Sequence, residues 1–160
     1  MPLTAASSST ESIPDRTLSA SWEQVAAIIA AVDATLGKWL VDNYNIGLTD
    51  YRAMLHLSRA SNRELRITEL ANRVGLTQSS VTRLVGRMET KGLAFRDTCP
   101  DDGRGVFAVI TDAGLKVVAE IREPYESKIG ELLGDAAKKY PQLNLADLDQ
   151  SFQTISKLIS

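Results

Sequence analysis

Gln78, Ser79, Ser80, Thr82, Arg83 and Arg87 are the residues of this chain whose types and spacing point most clearly to a chemistry. At about 100° per residue, Ser79, Ser80, Thr82, Arg83, Gly86 and Arg87 fall on one side of a helix, and Val81, Leu84, Val85 and Met88 fall on the other. Small hydroxyls and guanidiniums on an outward face, with almost no acid among them, suit phosphate oxygens and base edges. Arg83 and Arg87 stand one turn apart, so one can lie along a guanine edge and the other on a phosphate. A solvated pair, or an ion pair with Glu89 or Asp97, accounts for the same residues without a ligand. Gln78, Ser79 and Ser80 sit near the helix N-terminus, where backbone N–H groups favour anions. Capping and solvation are the plainer reading.

The elements that must hold this face follow from local signals. Thr68 reads as the N-cap of a helix burying Leu70, Ala71 and Val74, and Gly75 as its left-handed end. Thr77 reads as the N-cap of the next helix, Gln78 to about Lys91, closed by Gly92. Two short helices across a tight turn make a helix-turn-helix. Ala94–Thr98 and Val106–Ile110 have strand character around the turn-rich Pro100–Gly105, which gives a β-hairpin wing directly after the outward-facing helix.

Helical arms flank this centre. Leu18, Trp22, Val25, Ile29, Val32, Leu36 and Trp39 repeat at alternating spacings of four and three, a heptad-like seam. Thr49 reads as the cap of a second helix, with Asp50 in its first turn and Tyr51, Met54, Leu55 and Leu57 as apolar contacts. After Thr111 and Asp112, a long helix carries Leu115, Val118, Arg122, Tyr125, Ile129, Leu132 and Ala136, interrupted by Pro124. A last helix after Asn144 sets Leu145, Leu148, Phe152, Ile155 and Ile159 in register. The expected division is a flexible tail at 1–17, an N-terminal dimerisation helix at 18–46, a winged helix-turn-helix at 47–111 and C-terminal dimerisation helices at 112–160. The expected fold class is mainly α with a small β-hairpin wing. Seams too apolar for a small monomer to cover predict a homodimer of interlocked arms.

Composition narrows the function. The chain has 160 residues, 44% hydrophobic and 24% charged, with a net charge of −2. From Arg59 to Arg104 there are nine basic residues against six acidic ones, and elsewhere nine against fourteen. A basic patch on an acidic body aims one face at a polyanion, although a solvated face has the same composition. The longest uninterrupted apolar run, Val25–Val32, is short for a membrane span, and the N-terminus lacks the pattern of a signal peptide. One cysteine, Cys99, and one histidine, His56, argue against an internal disulfide or a metal site. They are also a poor basis for a nucleophile–base pair, and no Gly-rich phosphate loop is present. The expectation is a cytoplasmic protein that is no enzyme, needs no cofactor and holds no metal.

With these residues in place, the chain resembles the MarR family of bacterial transcriptional regulators. The match runs through Leu48-Thr49, Leu70-Ala71, Thr82-Arg83, Glu89-x-x-Gly92-Leu93, Asp102-Gly103-Arg104 and Ile110-Thr111-x-x-Gly114, over roughly residues 18–160. The resemblance implies an α-helical dimer with winged helix-turn-helix lobes that binds palindromic double-stranded DNA, most often as a repressor. It implies release from DNA by a small apolar or aromatic effector. Thr68, Thr77, Gln78, Ser79, Ser80, Thr82, Arg83, Arg87, Asp102 and Arg104 are then the DNA-contact set, with Asp102 bracing the wing and Arg104 reaching the minor groove. Gly103 departs from the family, which often carries a basic residue there.

Trp22, Trp39, Tyr51 and His56 are candidates for lining an effector cavity; core packing is the plainer reading of each. Cys99 at the wing base is either a redox-sensing thiol, which would make the regulator redox-responsive, or incidental. A winged-helix module that binds proteins is the remaining alternative, and it would favour acids or large apolar residues on the outward face. Arg104→Ala is expected to weaken DNA binding by roughly 1–3 kcal/mol and to flatten any preference for A·T-rich flanks. Binding across duplexes with varied flanks checks this, and an unaltered preference would rule out minor-groove reading by the wing.

Overall fold

The computed structural model describes residues 17–98, 105–139 and 145–159. Helix α1 spans Leu18–Tyr44 and α2 spans Leu48–Arg59. A single 3₁₀ turn at Ser61–Arg63 leads into β1, Glu64–Arg66. Then come α3 (Ile67–Val74), α4 (Gln78–Thr90), β2 (Ala94–Thr98), β3 (Val106–Ile110), α5 (Asp112–Lys139) and α6 (Leu145–Ile159). The order is that of a mainly helical protein with a winged helix at its centre. The tail, apart from Thr17, lies outside the described residues.

The sheet has three strands, not two. Its order is β1-β3-β2, all antiparallel, with Leu65 opposite Ala108 and Arg96 opposite Ala108 on the other side. Strand β1 is three residues long, too short for alternation to be visible, and it is recruited by pairing with β3. It follows Asn62 and Arg63, both left-handed at φ 57° and 60°, which turn the chain sharply out of α2.

Two caps differ from the sequence expectation. Helix α2 begins one residue before Thr49, with Gly47 as N-cap. Helix α3 begins at Ile67 with Arg66 as N-cap, so Thr68 lies inside its first turn as an exposed residue. Neither Gly47 nor Arg66 offers a side-chain cap. Helix α3 instead continues straight from the β1 backbone, so its start is set by the sheet rather than by a hydroxyl.

The core gathers Leu36, Leu40, Tyr51, Met54, Leu57, Leu70, Val81, Leu84, Val85, Met88 and Ile121, all fully buried. The inward seam of α5 runs through Val118, Ile121 and Tyr125, whereas Arg122 is exposed. Arg52 of α2 donates two hydrogen bonds to the Asp33 carboxylate of α1, at 2.9 and 2.6 Å. This fork joins the arm to the lobe.

The outer half of α1 is different. Leu18 is 87% exposed and Trp22 66%, and Val25, Ile28 and Ile29 are exposed with them. On α6, Phe152, Ile155 and Leu158 are also exposed. By length and composition α1 is apolar enough to cross a membrane, with an 18-residue stretch of mean hydropathy 1.4. The inner part of the same helix, through Asp33, Leu36 and Leu40, is built into the lobe.

Tyr51 is fully buried and its ring lies tilted against that of Tyr125, with 4.8 Å between centroids. Its hydroxyl has no hydrogen-bond partner among the described residues. Burial, then the neighbouring Tyr125, push its pKa up to about 12. Because the folded value lies above the ordinary one near 10, full stability is kept below pH 10, where the hydroxyl is protonated in both folded and unfolded chain, and stability is lost as pH rises from about 10 to 12 and the unfolded chain deprotonates first. Tyr51→Phe is expected to leave stability at pH 7 unchanged or raised by up to about 1 kcal/mol. It is also expected to flatten the alkaline loss relative to the parent. Urea titrations at pH 7 and across the alkaline range check this; a clear destabilisation at pH 7 would contradict it.

Candidate nucleic-acid interface

Helix α4 is positioned by its own two ends. At the N-terminus, the Thr77 Oγ1 accepts from the Ser80 N–H at 3.2 Å and donates to the Ser80 Oγ at 2.9 Å. At the C-terminus, Gly92 is left-handed at φ 69°. Its N–H reaches the Glu89 carbonyl at 2.9 Å, and the Leu93 N–H reaches that of Met88 at 2.9 Å. The same pair of bonds closes α3, where Gly75 also sits at φ 69°. These Schellman ends stop both helices where the sequence predicts, and the α3–α4 turn is held to three residues, Gly75, Leu76 and Thr77.

Between these ends, burial fixes rotation. Val81, Leu84, Val85 and Met88 are inside, so Gln78, Ser79, Ser80, Thr82, Arg83 and Arg87 are turned out and exposed. Thr82 donates to its own helix, to the Gln78 carbonyl at 2.9 Å. A side chain at Gly86 would meet nothing within 4 Å, so this face is open. Arg83 makes no ion pair among the described residues, and its guanidinium stands free on the face.

Arg87 is not free. Its Nη2 donates to the Asp50 Oδ1 at 2.8 Å, and Asp50 is itself buried. The partner is neither Glu89 nor Asp97 but an acid 37 residues earlier, a pairing that no local spacing reveals. Glu89 instead receives the Arg96 N–H at 2.7 Å and the Arg96 Nε at 3.1 Å. The Arg96 side chain, and then its backbone N–H, hold the Glu89 carboxyl below its usual pKa. Glu89 thereby ties the end of α4 to the first wing strand.

The far side of the wing is tied to the same point. Thr111 donates through Oγ1 to the Gly92 carbonyl at 2.7 Å, and its N–H reaches the Leu93 carbonyl at 3.0 Å. The Gly114 N–H returns to Thr111 Oγ1 at 3.1 Å. A Cβ at Gly114 would collide with the Leu93 carbonyl oxygen, so glycine is required there. The spaced residues Glu89, Gly92, Leu93, Thr111 and Gly114 therefore form one joint between α4 and the wing.

Asp102 and Arg104, and with them Cys99, lie outside the described residues. At the wing base, Arg66 lies over the Phe107 ring at 4.9 Å. A Cβ at Gly105 would come within 2.7 Å of the Arg66 Nη1. Sequence reading gave Arg66 no role, because only the unforeseen β1 brings it beside the wing.

The four effector candidates do not converge. Trp22 is on the exposed outer part of α1, about 25 Å along the axis from Trp39 at about 1.5 Å per residue. Trp39 packs edge-on against Tyr44 at 5.5 Å. Tyr51 is core. His56 is half-buried, and burial, then Arg73 and Arg59, hold its pKa below the ordinary value. An open cleft of about 430 Å³ does lie between the end of α1 and α5, lined by Val41, Tyr44, Ile46 and Val117 and in equal part by Asp42, Asn43, Asn45 and Glu120. Among the described residues no three His, Cys, Asp or Glu side chains gather as metal ligands.

Residues 44–105 match the model of the MarR family. Solved structures share the fold over nearly the whole chain. A MarR family transcriptional regulator of Streptomyces coelicolor, solved in complex with DNA, is 24% identical with a TM-score of 0.74, over 88% of this chain and 84% of that one. The transcriptional regulator BldR of Sulfolobus solfataricus is 25% identical with a TM-score of 0.73, over 86% and 93%. BpsR of Bordetella bronchiseptica, whose DNA binding is regulated by 6-hydroxynicotinic acid, is 14% identical with a TM-score of 0.70, over 88% and 99%.

Thr77→Ala removes the only side-chain cap of α4 and is expected to cost about 1 kcal/mol of stability. A urea titration measures it; no change would mean that the turn from Gly75 alone sets the helix start.

Proposed function

We propose that this chain, which is similar to MarR family transcriptional regulators, is a homodimeric repressor that reads a palindromic promoter site through α4. The reading rests chiefly on the outward face of α4. Gln78, Ser79 and Ser80 at the helix N-terminus suit phosphates and base edges near the helix start. Arg83, exposed and without an ion pair among the described residues, is the side chain best placed to reach a guanine edge. Such a helix docks in a major groove with its N-terminal residues towards the bases.

Exposed apolar residues support the dimer. Leu18, Trp22, Val25 and Ile29 on α1, and Phe152, Ile155 and Leu158 on α6, are large side chains facing water. A second copy covers them through a two-fold axis, and a two-fold dimer reads a palindrome. We assign the apolar face of α1 to that partner rather than to a bilayer, since the same helix is part of the lobe core. Repression follows from occupying the promoter. An apolar or aromatic effector fits the cleft between α1 and α5, beside the junction of arm and lobe, where occupancy changes the spacing of the two lobes. The regulation of BpsR by a small aromatic acid is a precedent for such control.

The test is selection of genomic fragments with purified protein, then fluorescence anisotropy on the recovered duplex across a salt series. A steep fall of affinity with salt and a preference over scrambled DNA are expected. Arg83→Ala is expected to remove roughly 1–3 kcal/mol of discrimination while helicity and dimer mass stay unchanged. Undiminished operator affinity in that variant would refute the role of Arg83.

A further inference from the structure

Asp50 is the one buried charged side chain among the described residues, and its partner is on the helix proposed to read DNA. Its side chain is 9% exposed, whereas that of Arg87 is 55% exposed. One turn further on, at the C-cap of α4, the Lys91 Nζ donates to the Asn45 carbonyl at 2.8 Å. Asn45 is the left-handed end of α1, and Asp50 lies in the first turn of α2. The two contacts therefore leave one side of α4 and land on either side of the short α1–α2 junction. Together they set the angle between α4 and the arm.

That angle matters at the other end of the helix. Ser79 is eight residues from Arg87, about 12 Å at about 1.5 Å per residue. A tilt of about 10° about Arg87 would move Ser79 by roughly 2 Å, enough to break a hydrogen bond whose useful range is a few tenths of an ångström. The anchor is also of the right kind: a buried carboxylate at a helix N-terminus, favoured by the helix dipole and held by a charge-assisted bond.

We propose that Asp50 is a positioning residue for DNA recognition, acting through Arg87 to fix the tilt of α4 and so the register of Ser79, Ser80 and Arg83 on the bases. This rests on α4 being the DNA reader. It also makes Arg87 a strut in addition to any phosphate contact of its exposed part. An electrostatic role alone would act in the opposite direction, because removing a negative charge near DNA strengthens binding to every sequence alike.

Asp50→Ala, Arg87→Ala and the double variant are compared with the parent on the selected duplex and on a scrambled one, at matched salt. The ratio of the two affinities is expected to fall roughly tenfold in each single variant, the size of an ordinary coupling between contacting residues. The double variant is expected to be no worse than either single one, and the salt slope of Asp50→Ala is expected to stay that of the parent. Should Asp50→Ala fail to fold by circular dichroism, Asp50→Asn, nearly the same shape, is read by the same ratio. An unchanged ratio with stronger binding to both duplexes, or losses that add in the double variant, would overturn the proposal. A parent with no sequence preference would overturn the DNA-reading function and this inference with it; a parent with preference and an unchanged ratio in the Asp50 variant overturns the positioning role alone.

Discussion

The structure depends on the burial of one apolar stripe, Val81, Leu84, Val85 and Met88, against the helices and sheet around it. At about 25 cal/mol per Å² of apolar surface, four such side chains outweigh any single surface contact, so the rotation of α4 about its axis is not adjustable. Every other feature of the site is a consequence. The hydroxyls and Arg83 face out because the stripe faces in. The wing lies beside them because its strands begin two residues after Gly92, where the helix must stop.

The residues that carry the family resemblance make sense in this frame. Most of them do not touch a ligand surface. Glu89, Gly92, Leu93, Thr111 and Gly114 tie the end of α4 to both strands of the wing, so the placement of one fixes the placement of the other. Gly114 is required by the approach of the Leu93 carbonyl, and Gly92 by a left-handed backbone. Thr82 and Arg83 alone among the matched helix positions stand on the open face.

What was legible in the sequence was what is local. The caps and ends of α4, the left-handed Gly75, and both wing strands follow from neighbouring residues, and all lie where the sequence places them. What was not legible depends on distant pairing. Strand β1 exists because β3 offers it an edge, and its formation moves the start of α3 to Ile67 and leaves Thr68 uncapping. The Asp50–Arg87 pair spans two helices, and the seam of α5 selects Ile121 over Arg122 because of what α2 presents to it. The spread of Trp22, Trp39, Tyr51 and His56 over separate surroundings has the same origin: helical spacing says which residues share a face, not which faces meet.

The central claim is that the outward face of α4 lies against the bases. Ultraviolet crosslinking of the protein to a selected duplex carrying bromouracil in place of thymine, with adducts mapped by mass spectrometry, tests it at the level of single residues. Adducts are expected within Gln78–Arg87. Adducts found only elsewhere on the chain, with that segment unmodified, would contradict it.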